Sequence, residues 1–286
     1  MPEKEFFIGI DSDGCVFDSM ELKHKECFCP AFIKNFKLQS VSRYAREAWD
    51  FVNLYSQTRG CNRFFAVMYA LDLLRQRPEV LERGADIMTL PALKAWTQRE
   101  SKLGNPALKA ELDRTHDSEL AIAYQWSQDV NEAVQKIVCG VPPFPYFRES
   151  LDTMLTRADV ITVSQTPTEA LQREWAELGI AELVRCIAGQ ELGTKSEHLA
   201  YAAKGKYPAN KILMIGDAPG DLGAAKSVGA FFYPIIPGLE EESWKRFRGE
   251  ALAKFFGMSY EGAYENALIA EFNRFLPEKA PWQKEK

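Results

Sequence analysis

The sequence predicts an α/β protein: a parallel, Rossmann-like sheet with helices on both faces, interrupted by an all-helical insertion. Three observations predict it. Phe6–Ile10 is an apolar run that ends in Asp11-Ser12-Asp13-Gly14. From about residue 145 onward, short apolar runs alternate with stretches of helical periodicity, the pattern of strand–helix units in a parallel sheet. Between the two, residues 20–140 carry helical periodicity and no convincing strand.

Taken in order, residues 6–10 read as a strand buried on both faces. In the insertion, Tyr44, Trp49, Val52 and Tyr55 recur at helical spacing, as do Phe64, Val67, Met68, Leu71 and Leu74. Breaks fall at Arg59-Gly60, Arg77-Pro78, Leu90-Pro91 and Asn105-Pro106. A long helix is expected over 117–138, with Asp117 or Thr115 as its N-cap. The run from Cys139 to Pro145 is rich in Pro and Gly and reads as a hinge. Strands follow at 159–163, 184–188, 211–215 and 231–236. They are separated by helices at 167–178, 195–203 and 221–228, with one more helix before them at 146–155. Residues 240–276 return to helix. The expected division is a core of 1–19 and 141–286 and a helical cap of 20–140.

Bulk properties narrow the function. The chain has 286 residues with 46% hydrophobic and 26% charged, enough for a sizeable buried core. Net charge is −5, and the most basic run, Trp244-Lys245-Arg246-Phe247-Arg248, follows three glutamates. It reads as an amphipathic helix, so no nucleic-acid partner is expected. No apolar stretch approaches the roughly 20 residues that span a bilayer, so no membrane partner is expected either. The charged N-terminus is unlike a signal peptide. The six cysteines form no CxxC pair or regular framework. Free thiols in the cytoplasm are the expectation.

Four segments carry chemistry. At the carboxyl end of the first strand, where ligands gather in open α/β sheets, Asp11 is the candidate nucleophile. A carboxylate attacking phosphorus divides one hard step into two. Asp13, two residues on, is placed to protonate a leaving group and then activate water. Ser164 ends the second core strand, with Gln165 and Thr166 beside it, as a hydroxyl site for phosphoryl oxygens near the start of a helix. Lys195 stands at a helix start, a locally unfavourable place for a cation, which points to a phosphate or carboxylate partner. Asp217 follows the strand 211–215 and suits Mg²⁺, which prefers oxygen ligands. Asp221, four residues later, is expected to support it from behind.

These segments resemble, in order, the four motifs of the haloacid dehalogenase-like (HAD) superfamily. The resemblance covers residues 5–18 and about 145–236, and the helical insertion only by position. It implies a helical C1-type cap, Asp11 as nucleophile, Asp13 as acid/base, and Ser164 and Lys195 as phosphate contacts. It implies Mg²⁺ held by Asp11, the backbone carbonyl of Asp13, and Asp217. Asp18 matches a further acid often found in the first segment. The insertion is longer than the usual compact cap, and Cys15 replaces the Thr or Val often seen after the glycine.

The expected function is therefore a cytoplasmic, Mg²⁺-dependent phosphatase acting on a small phosphorylated metabolite through an aspartyl-phosphate. A sugar-phosphate mutase is one alternative, although Lys23 occupies the cap position where such enzymes place a His, with His24 adjacent. A non-catalytic phosphate-binding protein on the same scaffold is the other. In the cap, Lys23, Arg59 and Arg63 are the candidate contacts to an anionic substrate, and the four-residue spacing of the two arginines places them on one helical face.

Overall fold

A computed structural model of the chain describes residues 1–283. They divide into two compact units, Met1–Met20 with Gly140–Leu276, and Glu21–Cys139 with the chain from Pro277 onward. The C-terminal segment from 277 thus groups with the helices, not with the sheet as expected. The last three residues of the expected core, 284–286, lie outside the described residues.

The first unit opens with strand β1 (Phe6–Ile10). Helix α1 (Ser19–Leu22) leads into the helical unit through a π-helical turn, Lys23–Phe28. Helices α2 (Cys29–Asn35), α3 (Ser42–Asn53), α4 (Arg63–Arg75), α5 (Pro78–Glu82), α6 (Pro91–Arg99), α7 (Asn105–Thr115) and α8 (Ser118–Ile137) follow. Prolines open α5 and α6, where the missing N–H costs no helical bond. Asp117 caps α8 by accepting the N–H groups of Glu119 and Leu120. The helices of this unit meet around Trp49, Trp96 and Trp126, all fully buried.

The unit's C-terminal segment has a dock of its own. Trp282 lies with its ring 4.3 Å from the Arg77 guanidinium, which also stacks on Tyr44 at 4.5 Å. Gln57 donates its backbone N–H to the Pro277 carbonyl. Stacking and hydrogen bonding explain the grouping of this segment with the helices.

The α/β unit resumes with α9 (Phe147–Arg157), β2 (Ala158–Val163), α10 (Thr168–Glu177), β3 (Cys186–Ala188), α11 (Lys195–Ala202), β4 (Ile212–Gly216), α12 (Pro219–Val228) and β5 (Phe231–Pro234). Helices α13 (Glu240–Arg246), α14 (Leu252–Phe256) and α15 (Ala263–Phe275) complete it. All strand pairs are parallel, in the order β3-β2-β1-β4-β5. Strand alternation supplies two cores. Phe6, Ile8 and Ile10 pack on one face with Val160, Ile215, Trp175 and Trp244. Phe7 packs on the other with Ile161, Met214 and Leu199. This two-sided burial is why the strands read as continuous apolar runs. Among the described residues no helix is long and apolar enough to cross a membrane. All six cysteines are free thiols.

Candidate active site

The strand order reverses between β1 and β4, and the crevice beyond the carboxyl ends of such a pair is where α/β sheets bind ligands. The Asp11 N–H donates to the Ile215 carbonyl at 2.9 Å, so the two strands are still joined where the first acid emerges. Asp11, Asp217 and Asp221 meet there. All three are buried, and each offers a carboxylate oxygen within 4.8 Å of the others.

Helix α11 brings the cation. Leu199 lies so close over Gly9 that a Cβ on the glycine would stand 2.8 Å from Leu199 Cδ2. Four residues earlier on the same helix, about 6 Å back along its axis, is Lys195. Its Nζ lies 2.7 Å from Asp11 Oδ2 and 2.7 Å from Asp221 Oδ1. Thr194 and Glu197 close a capping box that fixes the helix start. The local dipole cost noted from sequence is thus offset by two carboxylates.

Asp221 does more than support. Its Oδ2 accepts the N–H groups of Ala218 at 3.0 Å and Asp217 at 3.2 Å, while Oδ1 takes Lys195. It therefore pins the turn that carries Asp217 and also belongs to the cluster itself. Burial pushes the Asp11 carboxyl well up, with Asp221 and Asp217 adding to it and Lys195 opposing. Asp221 is raised for the same reasons. Burial alone would lower the Lys195 ammonium, but Asp11 and Asp221 hold it above its ordinary value. One ammonium faces three buried carboxylates, and the excess is negative.

This donor set fits a divalent cation. It is all oxygen, anionic and out of water, the environment hard cations such as Mg²⁺ select. The carboxylates that converge are those of Asp11, Asp217 and Asp221. The side chain of Asp13 is engaged elsewhere.

Both oxygens of Asp13 accept hydroxyls: Oδ1 from Ser19 and Oδ2 from Thr166, the latter at 2.8 Å. Ser164 is buried at the end of β2, its N–H on the Ala188 carbonyl and its Oγ accepting the Thr166 N–H at 3.1 Å. Gln165 is exposed and donates to the Gly193 carbonyl at 3.0 Å. The Thr168 N–H, at the amino terminus of α10, is taken by the Glu191 carboxylate at 2.9 Å rather than left for an anion. The sequence gives no sign of the Ser19 contact, because a serine opening a helix reads as an ordinary cap.

Lys23, Arg59 and Arg63 lie in the helical unit. Lys23 and Arg59 are buried, and Arg59 donates to the Leu54 carbonyl at 2.9 Å. Arg63 donates to Asn131 Oδ1 at 2.7 Å and Ser127 Oγ at 3.0 Å, and lies 5.1 Å from the Phe28 ring centre. The two arginines do not share a helical face as expected. Arg63 opens α4, while Arg59 sits in the turn before it, where Gly60 has φ of +74°.

No protein-family model matches the sequence, and a comparison with curated proteins finds no match. Solved structures similar to this chain include HAD-superfamily hydrolases and phosphatases. A haloacid dehalogenase-like family hydrolase from Streptococcus pneumoniae is 14% identical, with 84% of this chain and 90% of that chain covered and a TM-score of 0.43. A predicted phosphoglycolate phosphatase from Haemophilus somnus is 16% identical, with 82% and 86% covered and a TM-score of 0.41. A HAD-hydrolase from Bacillus subtilis, bound to magnesium, is 13% identical, with 80% and 86% covered and a TM-score of 0.40. At these levels of identity and superposition the likeness concerns the fold and carries nothing about the reaction.

Proposed function

We propose that this chain is a HAD-like phosphatase that hydrolyses a small phosphomonoester through an aspartyl-phosphate on Asp11. The observation that carries the reading is Lys195 bridging Asp11 and Asp221, beside Asp217, at the carboxyl ends of β1 and β4. Asp11, Asp217 and the Asp13 carbonyl would hold Mg²⁺. When bound, the cation neutralises charge that would otherwise repel an attacking carboxylate from a phosphate dianion.

The chain's own residues supply the rest. Lys195 would draw a phosphoryl oxygen towards Asp11, and the Ser164 hydroxyl would hold another. Asp11 attacks phosphorus, and Asp13 gives its proton to the departing alcohol. Asp13 then takes a proton from water, which attacks the phosphorus of the aspartyl-phosphate, so that inorganic phosphate leaves and the Asp11 carboxylate returns. The partners of Asp13 suit both roles. A hydroxyl donates to a carboxylate and accepts from a carboxylic acid, so Ser19 and Thr166 can serve Asp13 in either protonation state. The helical unit would act as the cap that selects substrate.

The test is phosphate release from sugar phosphates, nucleotides, phospho-acids and para-nitrophenyl phosphate, in Mg²⁺ and in EDTA. Release should require Mg²⁺ and vanish in Asp11→Asn, with inorganic phosphate as the product by phosphorus NMR. An isomeric ester would make the enzyme a mutase. Undiminished turnover in Asp11→Asn would remove the mechanism.

A further inference from the structure

The loop that bears Asp11 and Asp13 is held by two indole N–H groups. Trp175, on α10, donates from Nε1 to Ser12 Oγ at 3.0 Å. Trp244, on α13, donates from Nε1 to the Cys15 carbonyl at 2.7 Å. Ser12 and Cys15 bracket Asp13-Gly14. The donors come from segments 163 and 229 residues away in sequence.

Both indoles are fully buried and locked by rings. Phe147 packs edge-on to each, with centroids 6.1 Å from Trp175 and 5.1 Å from Trp244. Phe17, from the loop itself, packs edge-on to Trp175 at 5.9 Å. The N–H directions are therefore fixed.

Within the loop, the Ser12 carbonyl accepts the N–H groups of Val16 at 2.8 Å and Phe17 at 3.1 Å. Gly14, at φ of +73°, lets its N–H reach the Phe17 carbonyl at 2.8 Å. Ser12 also donates its N–H to Asp11 Oδ1 at 2.8 Å. A line of contacts thus runs from Trp175 through Ser12 to Asp11. Packing alone does not explain these donors. Trp126 is as fully buried, and its indole N–H has no acceptor.

We propose that Trp175 and Trp244 are positioning residues. Their N–H groups fix Ser12 and Cys15, and so aim the Asp11 carboxylate at Lys195 and the Asp13 carboxylate at Thr166. The proposal rests on the roles given above to Asp11 and Asp13.

Trp→Phe keeps a ring and removes the donor. Trp175→Phe and Trp244→Phe should each lower kcat by about tenfold or more, the penalty of a misplaced reacting group, with KM within about twofold. Trp126→Phe removes a buried indole of the same size without an acceptor, so it should leave kcat unchanged. Equal kcat in the two loop variants and wild type would overturn the proposal, as would a kcat loss no larger than that of Trp126→Phe.

A second readout needs no activity and no change at tryptophan. In protein labelled with ¹⁵N at its indoles, Asp13→Asn should shift the Nε1–H signals of Trp175 and Trp244 and leave that of Trp126 in place. Unmoved signals at the first two would also overturn it. A fully active Asp11→Asn would instead defeat the reading of the site, and the two failures are therefore distinguishable.

Discussion

Gly216 and Asp221 occupy each other's space. A Cβ on Gly216 would stand 2.4 Å from both Cβ and Cγ of Asp221. The last residue of β4 must therefore be glycine for Asp221 to reach the N–H groups of Asp217 and Ala218 and the Lys195 ammonium. Gly216→Ala should displace Asp221, overpacking the turn at a cost of about 1–3 kcal/mol, and phosphate release should fall by more than stability does. A variant with wild-type kcat would show that Asp221 can relax without cost.

Gly9 makes room for side chains under α11, with neighbours that can yield. Its missing side chain admits Leu199, with Val163 Cγ2 and Met214 Sδ at 3.1 and 3.3 Å from where a Cβ would be. All three are side-chain ends, so Gly9→Ala should be absorbed by small rotations of Leu199 and Met214 and leave Lys195 on Asp11. The expected result is a loss of at most about 1–3 kcal/mol in urea unfolding with kcat unchanged. A large fall in kcat would show instead that α11 itself shifts and takes Lys195 with it.

The acidic cluster predicts a metal-dependent stability. A cation that binds the folded chain alone stabilises it by about 2.7 kcal/mol at a hundredfold excess over Kd. Mg²⁺ should raise Tm in the wild type, and Asp217→Asn should abolish most of that rise. Calorimetric titration with Mg²⁺ gives the same answer without heating. A full thermal response in Asp217→Asn would remove Asp217 from the ligand set.

How much of this was legible in the sequence depended on range. Strands β1 and β4 were read correctly because burial on both faces leaves continuous apolar runs, and Asp11 and Asp217 follow from their ends. Asp117 was legible as a cap because capping is local. The third strand is shorter than expected, Cys186–Ala188, although the Arg185 N–H before it still donates to the Val160 carbonyl of β2 at 2.8 Å. The hydroxyl of Thr166 on Asp13 spans 153 residues of chain, and no local pattern encodes it. Nor does one encode Trp282 stacking on Arg77, which joins residues far apart in the chain and takes the terminal run out of the expected core.

Asp159 gives a pH dependence away from the site. It is buried at the start of β2 and accepts the Tyr207 hydroxyl, the Glu3 N–H at 2.8 Å and the Lys4 N–H at 3.1 Å, besides pairing with Arg185. Burial raises its carboxyl, but Tyr207, the two N–H groups and Arg185 outweigh it and hold it below its ordinary range. A carboxyl depressed in the folded state contributes its full stability above the unfolded value, about 3.9. That contribution is lost as pH falls through the folded value. Asp159→Asn should therefore destabilise by about 1–3 kcal/mol at pH 7. The gap from wild type should narrow below about pH 4, as the wild-type carboxylate takes up its proton. Urea unfolding of both proteins at pH 7, 5 and 3.5 measures the gap. A gap of constant size across that range would mean that shape at Asp159, rather than its charge, holds the amino-terminal segment to the sheet.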